Sequence, residues 1–156
     1  MPSNRTILIA IALLCFGAIG AALYLQHSKD MLPCPLCIMQ RYAFIVAGIF
    51  ALVAAFAPKQ KIWTGLGLVA VAWGGMQVQK HIHVINNPGF SCGIDPLETA
   101  LNKIPTATTM PWLFRADGLC EGAGELVMGL SVPQWSAVSL TAVALGLLFV
   151  LLRRSR

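Results

Sequence analysis

Charged residues are what this sequence has least of. Only 11% of its 156 residues are charged and 57% are hydrophobic, whereas an average soluble domain carries about 25% charged residues. A soluble domain of this size buries only about 70% of the surface that its unfolded chain exposes, which is too little to hide so many apolar side chains. The composition argues against a soluble enzyme and excludes intrinsic disorder. The length leaves no room for an added nucleotide-binding domain.

Four hydrophobic runs contain no Asp, Glu, Lys or Arg. Because roughly 17–25 apolar residues cross a bilayer core, these runs predict an all-α membrane protein, a bundle of four transmembrane helices. The first run also fits a signal peptide, but no small-residue cleavage site follows Tyr24. We predict one membrane domain, residues 1–156. Its spans are residues 7–24, 42–57, 62–79 and 135–152.

Acidic residues are absent from one side of this predicted bundle. The N-terminal segment, the connection between the second and third spans, and the C-terminal tail carry Lys and Arg but no acid. Since Lys and Arg mark cytoplasmic loops, both termini are predicted to be cytoplasmic. The net charge of +5 is then a feature of topology and requires no nucleic-acid partner. The two loops on the opposite side are residues 26–41 and 80–134.

The longer of these loops contains several prolines and few apolar clusters. Proline at this density argues against a compact helical domain. Such a segment needs a covalent staple or the membrane surface to order it. Residues 119–128 have mixed polarity, which favours a short interfacial helix.

Cysteine is rare in the spans and concentrated in the loops. Of five cysteines, Cys15 alone lies within a hydrophobic run, where a thiol acts as a small apolar side chain. The other four lie two in each of the opposite loops, where an oxidising environment favours disulfides. Four cysteines allow three pairings, so the sequence leaves the connectivity open. These cysteines are Cys34, Cys37, Cys92 and Cys120.

Cys34 and Cys37 form a C-x-x-C pair before the second span. A disulfide across two intervening residues is redox-active more often than structural. Cys37 is predicted near the first turn of a helix, where free N–H groups and the macrodipole favour an anion. Arg41 lies four residues on, on the same helix face. Both features favour a Cys37 thiolate, although Arg41 taken alone also fits a snorkelling topology anchor.

The remaining candidate residues each allow two interpretations. Cys92 and Cys120 suit a structural bridge that stabilises the fold by about 3–4 kcal/mol, or a mobile dithiol that exchanges with a soluble partner.

Structural zinc requires a second close Cys/His pair, which the sequence lacks, so no metal site is predicted. A c-type haem needs a histidine after Cys37, where Ile38 stands. His81 fits an interfacial residue or a hydrogen-bond donor to a bound ligand.

Three motifs are specific when they are taken together: CPLCIMQR from Cys34 to Arg41, PGFSC ending at Cys92, and VPQW starting at Val132. With them the chain resembles the disulfide bond formation protein B (DsbB) family of inner-membrane quinone reductases. The resemblance covers nearly the whole chain, with two cysteines in each of two loops. It implies a bacterial inner-membrane protein whose cysteine loops are periplasmic.

The resemblance also implies roles for the cysteines. Cys92–Cys120 would be the disulfide presented to a reduced periplasmic oxidase of the DsbA type, with Cys92 forming the mixed disulfide. Cys120, once freed, would attack Cys34.

The cofactor that the resemblance implies is a quinone, either ubiquinone or menaquinone. Cys37 would be the thiolate that contacts the quinone ring, and Arg41 would hold the quinone. His81 matches the family's quinone-proximal histidine if a short deletion separates it from Cys92.

Our leading hypothesis is an oxidoreductase that moves two electrons from a periplasmic dithiol protein to membrane quinone. The sequence carries no nucleotide-binding fingerprint that would suggest another acceptor. One alternative runs electrons outward to reduce exported proteins. The other is a membrane scaffold or transporter with structural disulfides; a transporter would be expected to carry ionisable residues inside its spans, and the four runs contain none.

Overall fold

Four long helices dominate the part of the chain described by the computed structural model, residues 3–87 and 94–153. Within these residues, three helices are long and apolar enough to cross a membrane: α1, α2 and α7 as defined below. The fourth, α3, has 27 residues and packs mainly against α2 and α7. The predicted helical membrane bundle is confirmed. The elements in chain order are α1 (Asn4–Ser28), α2 (Pro35–Phe56), α3 (Gln60–Asn86), α4 (Ile94–Asn102), α5 (Pro105–Thr109), α6 (Pro111–Phe114), a 3₁₀ helix (Cys120–Gly124), β1 (Leu126–Val127), β2 (Leu130–Ser131) and α7 (Val132–Leu152).

The long helices extend beyond the charge-free runs. Helix α2 begins at Pro35 and not near residue 42, and α1 continues to Ser28. Arg41 therefore lies inside a helix, where it is only 6% exposed. The predicted span began only after Arg41, because a criterion based on charge cannot recognise that the fold buries this side chain. The first connection at this end of the bundle is consequently residues 29–34, and the second is residues 87–131.

Local side chains explain where these helices start. The Ser3 hydroxyl accepts a hydrogen bond from the Thr6 N–H (3.1 Å) at the start of α1. The Gln134 side-chain oxygen accepts one from the Ser131 N–H (2.8 Å) at the start of α7. Pro35 occupies the first position of α2, where its missing N–H has no helical partner to lose. Each start thus satisfies or removes donors that would otherwise be unpaired.

Small residues allow α2 and α3 to pack closely. Ala43, Ala47 and Ala51 follow one another at four-residue spacing on α2, and all three are buried. Gly74 of α3 lies against the first of them, because a Cβ there would be 2.6 Å from the Ala43 Cβ, and Gly67 lies near the Ala47 carbonyl. Membrane helices associate through such close contacts, because lipid offers no hydrophobic drive to pair them. The depth and rotation of α3 against α2 are fixed by this seam.

The described part of the second connection, residues 94–131, contains three short α-helices, although its proline content argued against a compact helical domain. Pro105 and Pro111 are the first residues of α5 and α6, a position that tolerates proline well. Proline therefore marks helix starts here and does not exclude helices. Residues 119–128 instead form the 3₁₀ helix and the first half of a two-stranded antiparallel hairpin. The Trp135 indole N–H donates to the Val127 carbonyl (2.8 Å) and ties this hairpin to α7.

Candidate redox site

Cys34 and Cys37 lie together at the N-terminus of α2. Cys34 is the residue that caps the helix, and its Sγ accepts a hydrogen bond from the Cys37 N–H at 3.4 Å. The Cys34 thiol donates in turn to the Cys37 Sγ, at a distance of 3.1 Å between the two sulfurs. Both are free thiols. The C-x-x-C pair is thus poised for a disulfide and is held by a helix end.

The two sulfurs differ in environment. Cys34 is fully buried, whereas Cys37 is partly exposed. The hydrogen bond to Cys37 and the burial of the side chain both raise the pKa of the Cys34 thiol. Cys34 therefore keeps its proton and serves as the donor of the pair. Cys37 is the acceptor and the more exposed residue of the two.

His81 of α3 lies against Cys34. Its ring is completely buried, with Nε2 3.6 Å from the Cys34 Sγ and 3.4 Å from the Cys120 carbonyl oxygen. Its Nδ1 lies 3.1 Å from the side-chain nitrogen of Gln40, which is also buried. His83, two residues on, is exposed. Because of the way α3 is rotated, His81 faces this site and His83 does not.

Cys120 belongs to the same place in the fold. It is buried and disulfide-bonded, and it packs in one apolar cluster with Cys34, Leu36 and Val84. Cys92, the other cysteine predicted for the second connection, lies outside the described residues. The predicted pairing of Cys92 with Cys120 accordingly stays a prediction.

Backbone contacts hold the segment before Cys120 over the start of α2. The N–H groups of Asp117 and Gly118 both donate to the Pro33 carbonyl, at 3.1 and 3.0 Å. A Cβ on Gly118 would lie 2.1 Å from the carbonyl oxygen of Leu32. Only glycine at position 118 allows these two segments of the chain to approach this closely. The position of Cys120 beside Cys34 depends on this contact.

Arg41 is tied to the chain on two sides. One terminal nitrogen of its guanidinium donates to the Leu113 carbonyl (2.7 Å) and the other to the side-chain oxygen of Gln26 (2.9 Å). The Gln26 side chain then donates to the Trp112 carbonyl (3.2 Å). The guanidinium therefore does not reach out to solvent as a snorkelling anchor would. It joins α1, α2 and α6 one helical turn beyond Cys37.

The short helices form a lid over this end of α2. Ile38 packs with Leu101 and Phe114, all buried, in a second apolar cluster. The Tyr42 ring stacks on Phe114 with 4.7 Å between the ring centroids, and its hydroxyl is hydrogen-bonded to the Thr106 hydroxyl. The second connection therefore packs on the side of α2 that carries Ile38 and Tyr42, next to the dithiol.

Comparison with known proteins shows the family of this chain. Residues 4–150 match the family model described as "Disulfide bond formation protein DsbB". The chain belongs to the DsbB family. Relatives named "Disulfide bond formation protein B" are similar over nearly their whole length. In Cupriavidus necator the relative is 46% identical over 155 residues (99% of this chain, 96% of the relative), in Herminiimonas arsenicoxydans 46% over 156 residues (99% of each), and in Ralstonia nicotianae 41% over 155 residues (99% and 98%).

Membership of the DsbB family gives the chain a general role. It is a multi-pass membrane protein and a disulfide oxidoreductase that acts in disulfide bond formation. Its cysteines are the residues able to perform such chemistry, because disulfide exchange proceeds through thiolate attack on sulfur. Cys15 stands apart from them: it is buried in the bundle near Gly48, as expected for a structural residue.

Sequence reasoning missed several polar residues that the fold brings to this site. Gln40 contacts His81, and Gln26 contacts Arg41. Gln40 is buried, and a buried amide needs a hydrogen-bond partner, whereas Gln26 is half-buried near the end of α1. The two glutamines are visible in the sequence, but it does not reveal which partner each amide has.

Proposed function

We propose that this protein oxidises a periplasmic, thioredoxin-like dithiol oxidase of the DsbA type and passes two electrons through its own cysteines to membrane quinone. The observation that supports this most directly is the cluster of Cys34, Cys37 and Cys120 at one end of a membrane helix. A dithiol in contact with both a loop cysteine and a membrane helix is suited to take electrons from a soluble protein and deliver them to an acceptor in lipid.

The proposed cycle begins with exchange at the loop cysteines. A thiolate of the reduced partner attacks Cys92 of a Cys92–Cys120 disulfide; a mixed disulfide forms and Cys120 leaves as a thiolate. Cys120 then attacks Cys34 of the Cys34–Cys37 disulfide, and Cys37 leaves as a thiolate. The second thiol of the partner displaces Cys92, so that the partner departs oxidised.

The loop disulfide is then restored. Cys92 attacks Cys120 and displaces Cys34, which leaves Cys34 and Cys37 as the reduced pair that holds two electrons. The packing of Cys120 against Cys34 supports this step. A disulfide-bonded Cys120 beside free thiols at Cys34 and Cys37 corresponds to the state reached at its end.

The residues around Cys37 suit a quinone. A bound quinone would supply the acceptor of two electrons and two protons that oxidation of Cys34 and Cys37 to a disulfide requires. Cys37 is the more exposed residue of the pair and lies on α2 itself, so it is the cysteine assigned to a lipid-dissolved acceptor in this proposal. Arg41 provides a fixed cation one turn away, which favours negative charge at this point. His81 lies on the Cys34 side of the dithiol, with its ring buried, and is proposed to flank the bound quinone there.

The proposed topology places both termini in the cytoplasm and the cysteine loops in the periplasm of the bacterial inner membrane. The distribution of Lys and Arg supports it. The test is labelling with a membrane-impermeant thiol reagent in cells with a permeable outer membrane. Labelling of reduced Cys37 only after the inner membrane is disrupted would contradict the topology.

The proposed activity is tested with purified full-length protein in detergent under anaerobic conditions. Reduced DsbA-type protein is added with ubiquinone, with menaquinone or with neither. We expect partner thiols to disappear one pair for each quinol formed, and only when a quinone is present. Equal oxidation without quinone would contradict the proposed acceptor.

The direction of electron flow has a separate test. Alkylation trapping in growing cells measures the redox state of the four loop cysteines at steady state. Mainly disulfide-bonded cysteines support the proposed oxidase. Mainly reduced cysteines would favour the alternative in which the protein reduces exported proteins.

A further inference from the structure

Three metal-ligating side chains meet at the end of α2. The sulfurs of Cys34 and Cys37 and a ring nitrogen of His81 all lie within 4.8 Å of one another. Two of the three residues are fully buried, and all three are on or at the ends of long helices. We propose that this cluster, named here the Cys₂His triad, binds one zinc ion when both cysteines are reduced. The proposal concerns metal binding and does not depend on the proposed quinone acceptor.

The distances are close to those of a tetrahedral zinc site. Zinc binds sulfur at about 2.3 Å and imidazole nitrogen at about 2.0–2.1 Å, so adjacent sulfur and nitrogen ligands are about 3.6 Å apart. The Cys34 Sγ and the His81 Nε2 are 3.6 Å apart. Two thiolate ligands are about 3.8 Å apart by the same geometry, against 3.1 Å between Cys34 and Cys37. A small rotation of the partly exposed Cys37 side chain supplies the difference.

The surroundings of His81 also suit a ligand. A metal-bound imidazole is usually oriented by a partner at its other nitrogen. Gln40 occupies that position, 3.1 Å from Nδ1. A turn of its amide presents the oxygen to an Nδ1–H and leaves the Nε2 lone pair for the metal, which then replaces the Cys120 carbonyl oxygen (3.4 Å) as the partner of Nε2. Gln40 and His81 are both buried, so water does not compete for these contacts.

The chemistry of the three donors selects the metal class. Thiolate and imidazole ligands prefer zinc and similar soft or borderline ions over magnesium and calcium, which prefer oxygen. Binding of one Zn²⁺ ion displaces the Cys34 proton and any proton on Cys37 and releases them to solvent, with no change in oxidation state. A fourth position is filled by water or another small ligand from the side of Cys37.

Binding is restricted to one redox state of the protein. A Cys34–Cys37 disulfide joins the two sulfurs and removes both thiolate ligands, so the oxidised protein has only His81 left. Zinc bound to the reduced protein holds both thiolates and prevents them from forming the disulfide. The Cys₂His triad therefore gives zinc a means to arrest the protein in its reduced form.

Sequence reasoning found no metal site, because it looked for a second Cys/His pair close in the sequence. His81 is 47 positions from Cys34 and reaches it only through the packing of α3 on α2. The third ligand is thus a product of the fold.

The experiment uses the full-length protein in detergent, reduced, freed of metal and kept anaerobic. Cd²⁺ serves as the optical probe through its thiolate charge-transfer absorption, and Zn²⁺ affinity follows from competition with a chromophoric chelator. We expect one ion per chain and release of one to two protons per ion, because Cys34 carries a proton whereas Cys37 is the acceptor of the pair. The oxidised protein is expected to give no charge-transfer band. Equal binding by oxidised and reduced protein would overturn the proposal.

Variants assign the ligands. We expect His81→Ala and Cys34→Ser each to weaken Zn²⁺ binding at least 100-fold, and Gln40→Ala to weaken it about 10- to 100-fold. The matched control is His83→Ala, an exposed histidine on the same helix, which is expected to bind as the unaltered protein does. If His81→Ala and His83→Ala behave alike, the triad is not the site.

A second background separates the loop cysteines from the triad. In the Cys92→Ser/Cys120→Ser double variant, reductant leaves thiols only at Cys34, Cys37 and the buried Cys15. Retention of one Zn²⁺ site supports the triad, and its loss assigns the metal to the loop cysteines and overturns the proposal. Activity of the metal-free protein with quinone is measured separately, so that failure of the proposed function and failure of zinc binding are distinguishable.

Discussion

The cysteines occupy two regions that are held in different ways. Cys34 and Cys37 are attached to the end of α2, whose position is set by close packing along the bundle. Cys120 lies on a connection that is attached near Cys34 by two hydrogen bonds to the Pro33 carbonyl, by the contact of its own carbonyl with His81 and by apolar packing. A helix-borne pair keeps a constant position relative to the membrane. A loop-borne cysteine separates from its neighbour at the cost of a few contacts, as exchange with a soluble partner requires.

The largest effect is expected from removing the helix-borne sulfur that the proposed acceptor contacts. Cys37→Ser is expected to lower quinone-dependent oxidation of the partner at least 1,000-fold, as loss of a reacting nucleophile does. Quinol formation with reduced DsbA-type protein is the measurement. Cys15→Ser, the matched control in the bundle, is expected to retain activity. If Cys37→Ser retained activity, electrons would not pass from the loop cysteines to quinone through Cys37.

The next effect comes from separating the two regions. In Gly118→Ala the new Cβ overlaps the Leu32 carbonyl oxygen, so the segment carrying Cys120 must move away from α2. Overpacking of this kind costs about 1–3 kcal/mol, and we expect exchange between Cys120 and Cys34 to slow about 10- to 100-fold. Rapid-quench alkylation measures this rate. Gly122→Ala is the control, since a Cβ there meets no atom within 4 Å; equal rates in the two variants would show that the contact does not position Cys120.

A smaller effect is expected at the tie between the bundle and α6. Arg41→Ala is expected to raise the KM for quinone about tenfold, because a hydrogen bond to a charged group contributes about 1.5–3 kcal/mol. Arg41→Lys keeps the charge but loses the planar fork that contacts Leu113 and Gln26 together. Steady-state kinetics with varied quinone measure both. Gln26→Ala leaves the Arg41 charge in place and removes one of its contacts. If Gln26→Ala raises the KM as much as Arg41→Ala does, the contact and not the charge determines quinone binding.

The smallest effect is expected within the lid. Tyr42→Phe removes the hydrogen bond to Thr106 while the ring remains stacked on Phe114. The contact is worth about 0.5–1.5 kcal/mol, so amide hydrogen exchange in α5 and α6 is expected to accelerate about threefold to tenfold. The control is Tyr24→Phe, at an exposed position. Unchanged exchange in Tyr42→Phe would mean that the lid is held by apolar packing alone.

The sequence predicts the two regions unequally. The four helices and the C-x-x-C pair follow from hydropathy and from local spacing, and Cys37 and Arg41 share a face because they are four residues apart on one helix. His81 beside Cys34 does not follow from the sequence, because it depends on how α3 is rotated against α2. That rotation is set by contacts such as Gly74 on Ala43, which involve residues far apart in the chain. Likewise, the burial of Arg41 depends on a carbonyl from α6.

The way Arg41 is bound has a consequence for recognition. A guanidinium has five N–H groups, and here one on each terminal nitrogen is already committed to Leu113 and Gln26. The double-pronged clamp that arginine commonly offers to a carboxylate or phosphate is therefore occupied by the protein's own chain. A neutral ring carbonyl, which needs only one donor and a nearby positive charge, remains compatible with this arginine, whereas a dianionic headgroup would have to displace internal partners first.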